Sequence, residues 1–182
     1  QKLANSVGAQ VVMSRVGKLQ LKRIDFPVSS TSFDIKPKHM IEKSLAIDSR
    51  EAVTSAVKIG YCKNWTVENN LQTVIPEDHK SMYSEEWLSA TVSNSGVATK
   101  YKTLVEPTQK DTYLLTTSDA TAEATRAMAV TSTQRTIYKF TGFTDLFQLE
   151  LGQGVTLTAY RFGLQSGVSG VVVGLEPDWI NL

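Results

Sequence analysis

LELGQGVTLTAYRFGLQSGVSGVVVGLEPDWINL, Leu149–Leu182, is the stretch on which the fold turns. It holds six glycines, three short apolar runs and no obvious catalytic group. Gly152 and Gly154 spell GxG, but neither GxGxxG nor GK[ST] follows, and the preceding strand does not lead into a helix. A phosphate cradle needs a helix N-terminus behind its loop, so LGQG reads as a turn. Gly167, Gly170 and Gly174 read as a hairpin turn followed by a strand interruption, where glycine marks a bulge or a close backbone approach.

Outward from this run, TIYKFTGF, FQLEL, VTLTAYRF and GVVVGL form a succession of short strands. TGFTD, LGQG and GLQSG separate them at intervals of about ten residues, the signature of a barrel or sandwich. Before them the sequence predicts a helix with Ser118 as N-cap and Asp119 near the positive end of the helix dipole. Its Ala120, Ala124, Ala127 and Met128 share one face, and the small alanines imply close approach to a sheet.

Further upstream, Val57, Ile59 and Tyr61 alternate with Lys58, Gly60 and Cys62, as in a strand. HKSMYSEEWL (79–88) sets Met82, Tyr83 and Trp87 at helical spacing. Thr103–Val105 and Thr112–Leu115 are extended candidates, and KHMIEKSLAI (38–47) fits helix or strand. VVMSR, Val16-Gly17-Lys18 and LQLKRI make a hairpin with Leu19, Leu21 and, as a further candidate, Arg23 on one face. Leu3, Val7 and Val11 outline a short opening helix that Gly8 interrupts. The expected fold is mainly β with a few short helices (β+α), its antiparallel sheets barrel-like. Residues 1–50 form an N-terminal helix/hairpin segment, and 51–182 a barrel region with inserted helices.

At 182 residues the chain is one good-sized domain or two small ones. With 41% hydrophobic and 20% charged residues it is not a disordered composition. Nineteen basic residues against 18 acidic leave a net charge of +1, which provides no field for nucleic acid. Lys18, Lys22 and Arg23 read as a solvated strand edge. Cys62 is the one cysteine, so no intrachain disulfide can form. No apolar stretch approaches the ~20 residues of a membrane span, and no signal-peptide pattern opens the chain. Because Gln1 starts it inside what looks like an element, the chain reads as part of something longer.

A search for chemistry finds little. His39 and His79 each lie beside a lysine, outside any HExxH or CxxC pattern, and read as surface or helix-end residues. Cys62 fits a small buried hydrophobe better than a thiolate nucleophile. Glu85 with Glu86, and Glu176 with Asp178, could suggest a glycosidase pair, but adjacent residues do not face one site. Asn64-Trp65-Thr66 spells a glycosylation sequon, relevant only in a secretory context. Trp65, Trp87 and Trp179 serve either as core or interface anchors or as sugar platforms. The expectation is a protein with no catalytic, cofactor or metal site, working as a wall, joint or docking surface.

GKLQLKRIDFP (17–27), KIGYCKNWTVENNL (58–71), HKSMYSEEW (79–87), EPTQKDTYLL (106–115), SDATAEATRAMAV (118–130) and LGQGVTLTAYRFGLQSGVSGVVVGLEPDW (151–179) follow in that order. Together they resemble the tail hub proteins of tailed bacteriophages, the central baseplate or tail-tip family. The resemblance implies a β-barrel hub that assembles as a homotrimer, each subunit supplying two related barrels to a pseudo-sixfold ring. Such a ring joins the tail tube or distal tail protein to fibre or spike proteins. Through its channel pass the tape-measure protein and then DNA, without sequence-specific binding. The implied location is the virion tail tip, or the bacterial cytoplasm during assembly or from a prophage.

Within that frame Tyr160, Phe162 and Trp179 are interface candidates, since aromatics are enriched at interface centres. Arg161 between two of them faces solvent or the channel on equal terms. The final run then reads as the closing strands of a hub barrel, with one more strand expected beyond Leu182. The alternative is a carbohydrate- or receptor-binding β-module of a phage fibre or bacterial surface protein, which requires two tryptophans side by side on an exposed face. A third reading, a peptidoglycan hydrolase or peptidase, would use Glu85 or His79.

Overall fold

Residues 2–103 and 106–177 are described by the computed structural model, and they form short strands and a smaller number of helices. In chain order these are α1 (Lys2–Ser6), β1 (Ala9–Met13), β2 (Leu19–Arg23), β3 (Phe33–Ile35), β4 (Ala46–Arg50), β5 (Ala56–Tyr61) and α2 (Glu77–Ser84). There follow β6 (Leu88–Ser93), α3 (Ser95–Tyr101), β7 (Gln109–Asp111), α4 (Thr117–Thr131), β8 (Thr136–Lys139), β9 (Gly154–Leu157) and β10 (Val168–Val171). The fold is mixed α/β with more strand than helix. It separates into two compact units, one of the described residues up to Gly8 with Val53–Thr133, the other of Ala9–Ala52 with the residues from Gln134 onward.

The first unit is built on the alternation seen at 56–61. β5 is the central strand, antiparallel to β6 and parallel to β7. Pairing of Val57 with Val92, Ile59 with Ala90 and Tyr61 with Leu88 puts all these side chains on one face. α4 covers that face. Its Ala120 and Ala124 are fully buried against Ile59, Tyr61 and Ala90, so the alanines do permit the close approach expected of them. The cap of α4 is Thr116 rather than Ser118: its extended backbone lets the hydroxyl accept from the Asp119 amide at 3.2 Å. The Tyr61 hydroxyl meets Thr117 Oγ1 at 2.7 Å, fastening strand to helix.

α4 also buries Glu123, which the alanine pattern did not reveal. Its carboxylate takes two bonds from Arg126, at 2.7 and 2.8 Å, and Lys110 lies 3.7 Å away. Gly8 passes directly over this pair. A Cβ there would sit 1.8 Å from Arg126 Nη2, and its φ of +64° is in the left-handed region, so glycine is needed twice over.

The second unit contains three small sheets among the described residues: β1–β2, β4–β8, and β10–β9–β3 with β3 parallel to β9. Its core gathers Ile35, Met40, Leu45, Leu149, Val155, Leu157, Ala159 and Leu164. Gly154 opens β9 where a Cβ would lie 2.1 Å from the Ser30 carbonyl oxygen, a close approach at a glycine whose LGQG context reads only as a turn.

The expected barrel is corrected. Among the described residues no sheet holds more than three strands and none closes on itself. FQLEL does not form a strand, because residues 144–148 make a 3-10 turn that tucks Leu146 against the core. VTLTAYRF stays extended only through Leu157. Left-handed φ values at Phe162 and Gly163 then turn the chain, and the Ala159 amide bonds the Leu164 carbonyl. The helix expected over 79–88 ends at Ser84, so Trp87 stands just before β6. Of the extended candidate 103–105, residues 104 and 105 lie outside the described residues, and the nearby strand is β7 at 109–111.

Candidate functional site

The β1–β2 hairpin is built with its polarity reversed. Ser14 and Lys18 close its loop, with the Ser14 amide bonding the Lys18 carbonyl at 2.8 Å and Gly17 at φ +75° turning the chain. The resulting register pairs Val11 with Leu21 and Met13 with Leu19. Directly paired residues share a face. Leu19 and Leu21 therefore lie together, as the spacing predicted, and they are joined by two residues that the strand-by-strand reading missed.

That face is uncovered: Val11, Met13, Leu19 and Leu21 are 46%, 69%, 72% and 61% exposed. Val16 at the hairpin tip is exposed as well. The opposite face carries Val12, Gln20 and Lys22, all half-buried, with Gln10 exposed at its end. Gln20 Oε1 is buried with no hydrogen-bond partner among the described residues. A one-sided antiparallel sheet in water normally turns apolar residues inward and polar ones outward. Among the described residues no further strand pairs with either outer edge of the hairpin.

The interface candidates from the C-terminal run fall in the same unit. Tyr160, Arg161 and Phe162 occupy the turn after β9 rather than a strand. Tyr160 is 82% exposed, and its carbonyl oxygen accepts from Gln165 Nε2 at 3.1 Å. The Phe162 ring leans on Tyr138 at 6.1 Å between centroids and carries the Arg161 guanidinium 5.0 Å above it. Trp179 lies outside the described residues.

The other candidates resolve one by one. His39 is buried at the end of a 3-10 turn, where its Nδ1 accepts from the Lys36 amide at 3.1 Å and its ring packs on Phe33. His79 is exposed on α2. Cys62 is half-buried against the Ile59 core, at φ +49°, with its amide bonded to the Leu114 carbonyl. Glu85 is exposed at the C-terminus of α2, and Glu86 pairs with Lys63 at 3.2 Å. Asp178 lies outside the described residues. Asn64 of the sequon is engaged: its Nδ2 donates to the Met82 and Tyr83 carbonyls at 3.1 and 3.0 Å.

Trp65 and Trp87 both lie against Lys63, whose Nζ is 4.4 Å from one ring centroid and 5.1 Å from the other. Arg135 stacks on Phe26 at 3.5 Å, and burial pushes its pKa below the ordinary arginine value. Among the described residues no group of three or more His, Cys, Asp or Glu side chains could hold a metal ion. No helix among them is long and apolar enough to cross a membrane. No protein-family model and no curated protein matches the chain.

Proposed function

We propose that this chain is a structural subunit of a phage tail. It is a hub or tail-tip component that forms a trimeric ring between tail tube and distal tip, around a channel for tape-measure protein and DNA. The observation that carries the reading is the outward apolar face of β1–β2, with both its edges unpaired among the described residues. The ordered sequence resemblance supports it independently.

The proposed occupant of that face is a second copy of the same chain. In a closed ring one patch of each copy meets a different patch of the next. Open strand edges invite pairing, and a ring satisfies them in a controlled way. Sheets that stay open within one chain would then be completed across copies, which is where the barrel of a hub would arise.

The magnitudes are consistent with an assembly that needs more than the hairpin. Burying each large apolar side chain is worth about 1.5–3 kcal/mol, while association costs roughly 4–15 kcal/mol in lost freedom. The hairpin can lead an interface, and Tyr160 and Phe162 are the further contacts we assign to it. Fibre or spike proteins and the tube-end protein would take other faces of the ring.

Solution mass by light scattering across a concentration series tests the reading. The expected outcome is a trimer that the double variant Leu19→Glu, Leu21→Glu converts to a folded monomer. A chain that stays monomeric at the highest concentration would end the proposal. The carbohydrate-module alternative asks for two tryptophans side by side on an exposed face; Trp65 is exposed, Trp87 is half-buried, and both rings lie against Lys63.

A further inference from the structure

The cluster around Lys63 is assembled with more care than a surface salt bridge requires. Cys62, in its left-handed conformation, turns the chain out of β5. The Asn64 amide bonds the Glu86 carbonyl at 2.8 Å, continuing the link between the ends of β5 and β6. The Asn64 side chain holds the end of α2 through Met82 and Tyr83, while its Oδ1 accepts from the Thr66 amide at 3.0 Å. Trp65 is thus fixed between two anchored residues, yet 77% exposed. Trp is a residue that folded chains mostly bury.

Charge surrounds the indoles. Lys63 sits against both rings and pairs with Glu86, with side-chain exposures of 26% and 59%. Because one nitrogen touches both rings, the two indoles lie within the length of a disaccharide of each other. Lysine offers only donors and glutamate only acceptors, so the cluster presents both to one ligand.

We propose that Trp65, Trp87, Lys63 and Glu86 form an oligosaccharide-binding site, with Trp65 as its stacking platform. A pyranose with equatorial hydroxyls presents a ring face of C–H bonds, weakly positive, that complements the negative face of an indole. Its hydroxyls project from the ring edge toward the ammonium and the carboxylate, which give charge-assisted hydrogen bonds. The Asn64 bonds fix the backbone that carries Trp65 and Glu86, so the backbone needs little ordering on binding. The ligand class is an oligosaccharide of equatorially substituted pyranoses, for which β-1,4-linked chains are the probes. This site lies wholly in the first unit, does not rest on the assembly reading, and stands or falls separately from it.

The test is a titration of the full chain with chitotetraose and with cellotetraose, followed by tryptophan fluorescence and by the indole N–H signals in NMR. A saturable response with a dissociation constant in about the millimolar range is expected for at least one sugar. Trp65→Ala should abolish it, and Lys63→Met should weaken it about tenfold while leaving the stacking response. Leu19→Glu with Leu21→Glu should leave the titration unchanged, whatever it does to the mass. Circular dichroism of Trp65→Ala checks that the fold is kept, and Trp65→Phe should restore part of the binding. No saturable response to either sugar, or undiminished binding by Trp65→Ala, overturns the site. So does a Trp65 signal that responds only to protein concentration, which would assign the indole to a protein contact.

Discussion

β1–β2 and β5–β6 are both antiparallel pairs of similar length with alternating side chains, and they meet opposite fates. In β5–β6 the apolar face is roofed by α4, with Ile59, Ala120 and Ala124 fully buried. In β1–β2 four large apolar side chains face outward and Gln20 and Lys22 turn inward. The alternation is equally good in each. The difference lies in what each unit supplies: a long helix with an alanine face covers one pair, and among the described residues of the second unit there is no α-helix to cover the other. An amphipathic strand pair specifies that it will be covered, not by which element.

Four substitutions sharpen that contrast. The largest effect is expected from Ile59→Ala, which removes a buried side chain from beneath α4 and should cost about 3–4 kcal/mol in urea unfolding of the first unit. Next is Gly154→Ala in the second unit, where the added carbon meets the Ser30 carbonyl. Overpacking of this kind should cost about 2–3 kcal/mol, read as a fall in melting temperature. Tyr61→Phe removes the hydroxyl bonded to Thr117 and should cost about 1 kcal/mol, again by urea unfolding.

The smallest effect on the fold should come from Leu21→Gln on the open hairpin, within about 0.5 kcal/mol in dilute solution. The same variant should lower the oligomer mass. If instead it destabilised the dilute chain as much as Ile59→Ala, the hairpin would have a cover and the contrast would collapse.

The elements of this contrast, though not which face is covered, could be read from the residues. Gly17 and the flanking alternation give the β1–β2 hairpin, and the alanine spacing gives α4 and its close packing. The readings that failed did so for identifiable physical reasons. Thr116 and Ser118 both carry capping hydroxyls, and only the backbone dihedrals decide between them. Leu149 looks like a strand residue in FQLEL, yet it caps a 3-10 turn that delivers both it and Leu146 to the core. The barrel expectation extended VTLTAYRF past Leu157, where Phe162 and Gly163 turn back.

The Trp65–Trp87 cluster was hidden for a different reason. Its members are far apart in sequence and meet because Tyr61 pairs with Leu88, which brings the residues after β5 beside those before β6. A correct register for that hairpin would have disclosed it. The two-unit organisation was hidden too, since no shift in composition marks the crossings near residues 8, 52 and 133.

Those crossings bear on the order in which the molecule can form. β4 and β8 pair with Arg50 opposite Thr136, and just beyond them Thr54 bonds Thr131 through both backbone and side chain. Everything between is the body of the first unit, held like an insertion between two neighbouring strands. Closing so long a loop as unstructured chain carries a substantial entropic cost. Once β5, β6 and α4 have condensed, Thr54 and Thr131 are already together and most of that cost has been met locally. The β4–β8 ladder is therefore a late event, and pulsed hydrogen exchange during refolding should protect its amides after those of β5 and β6.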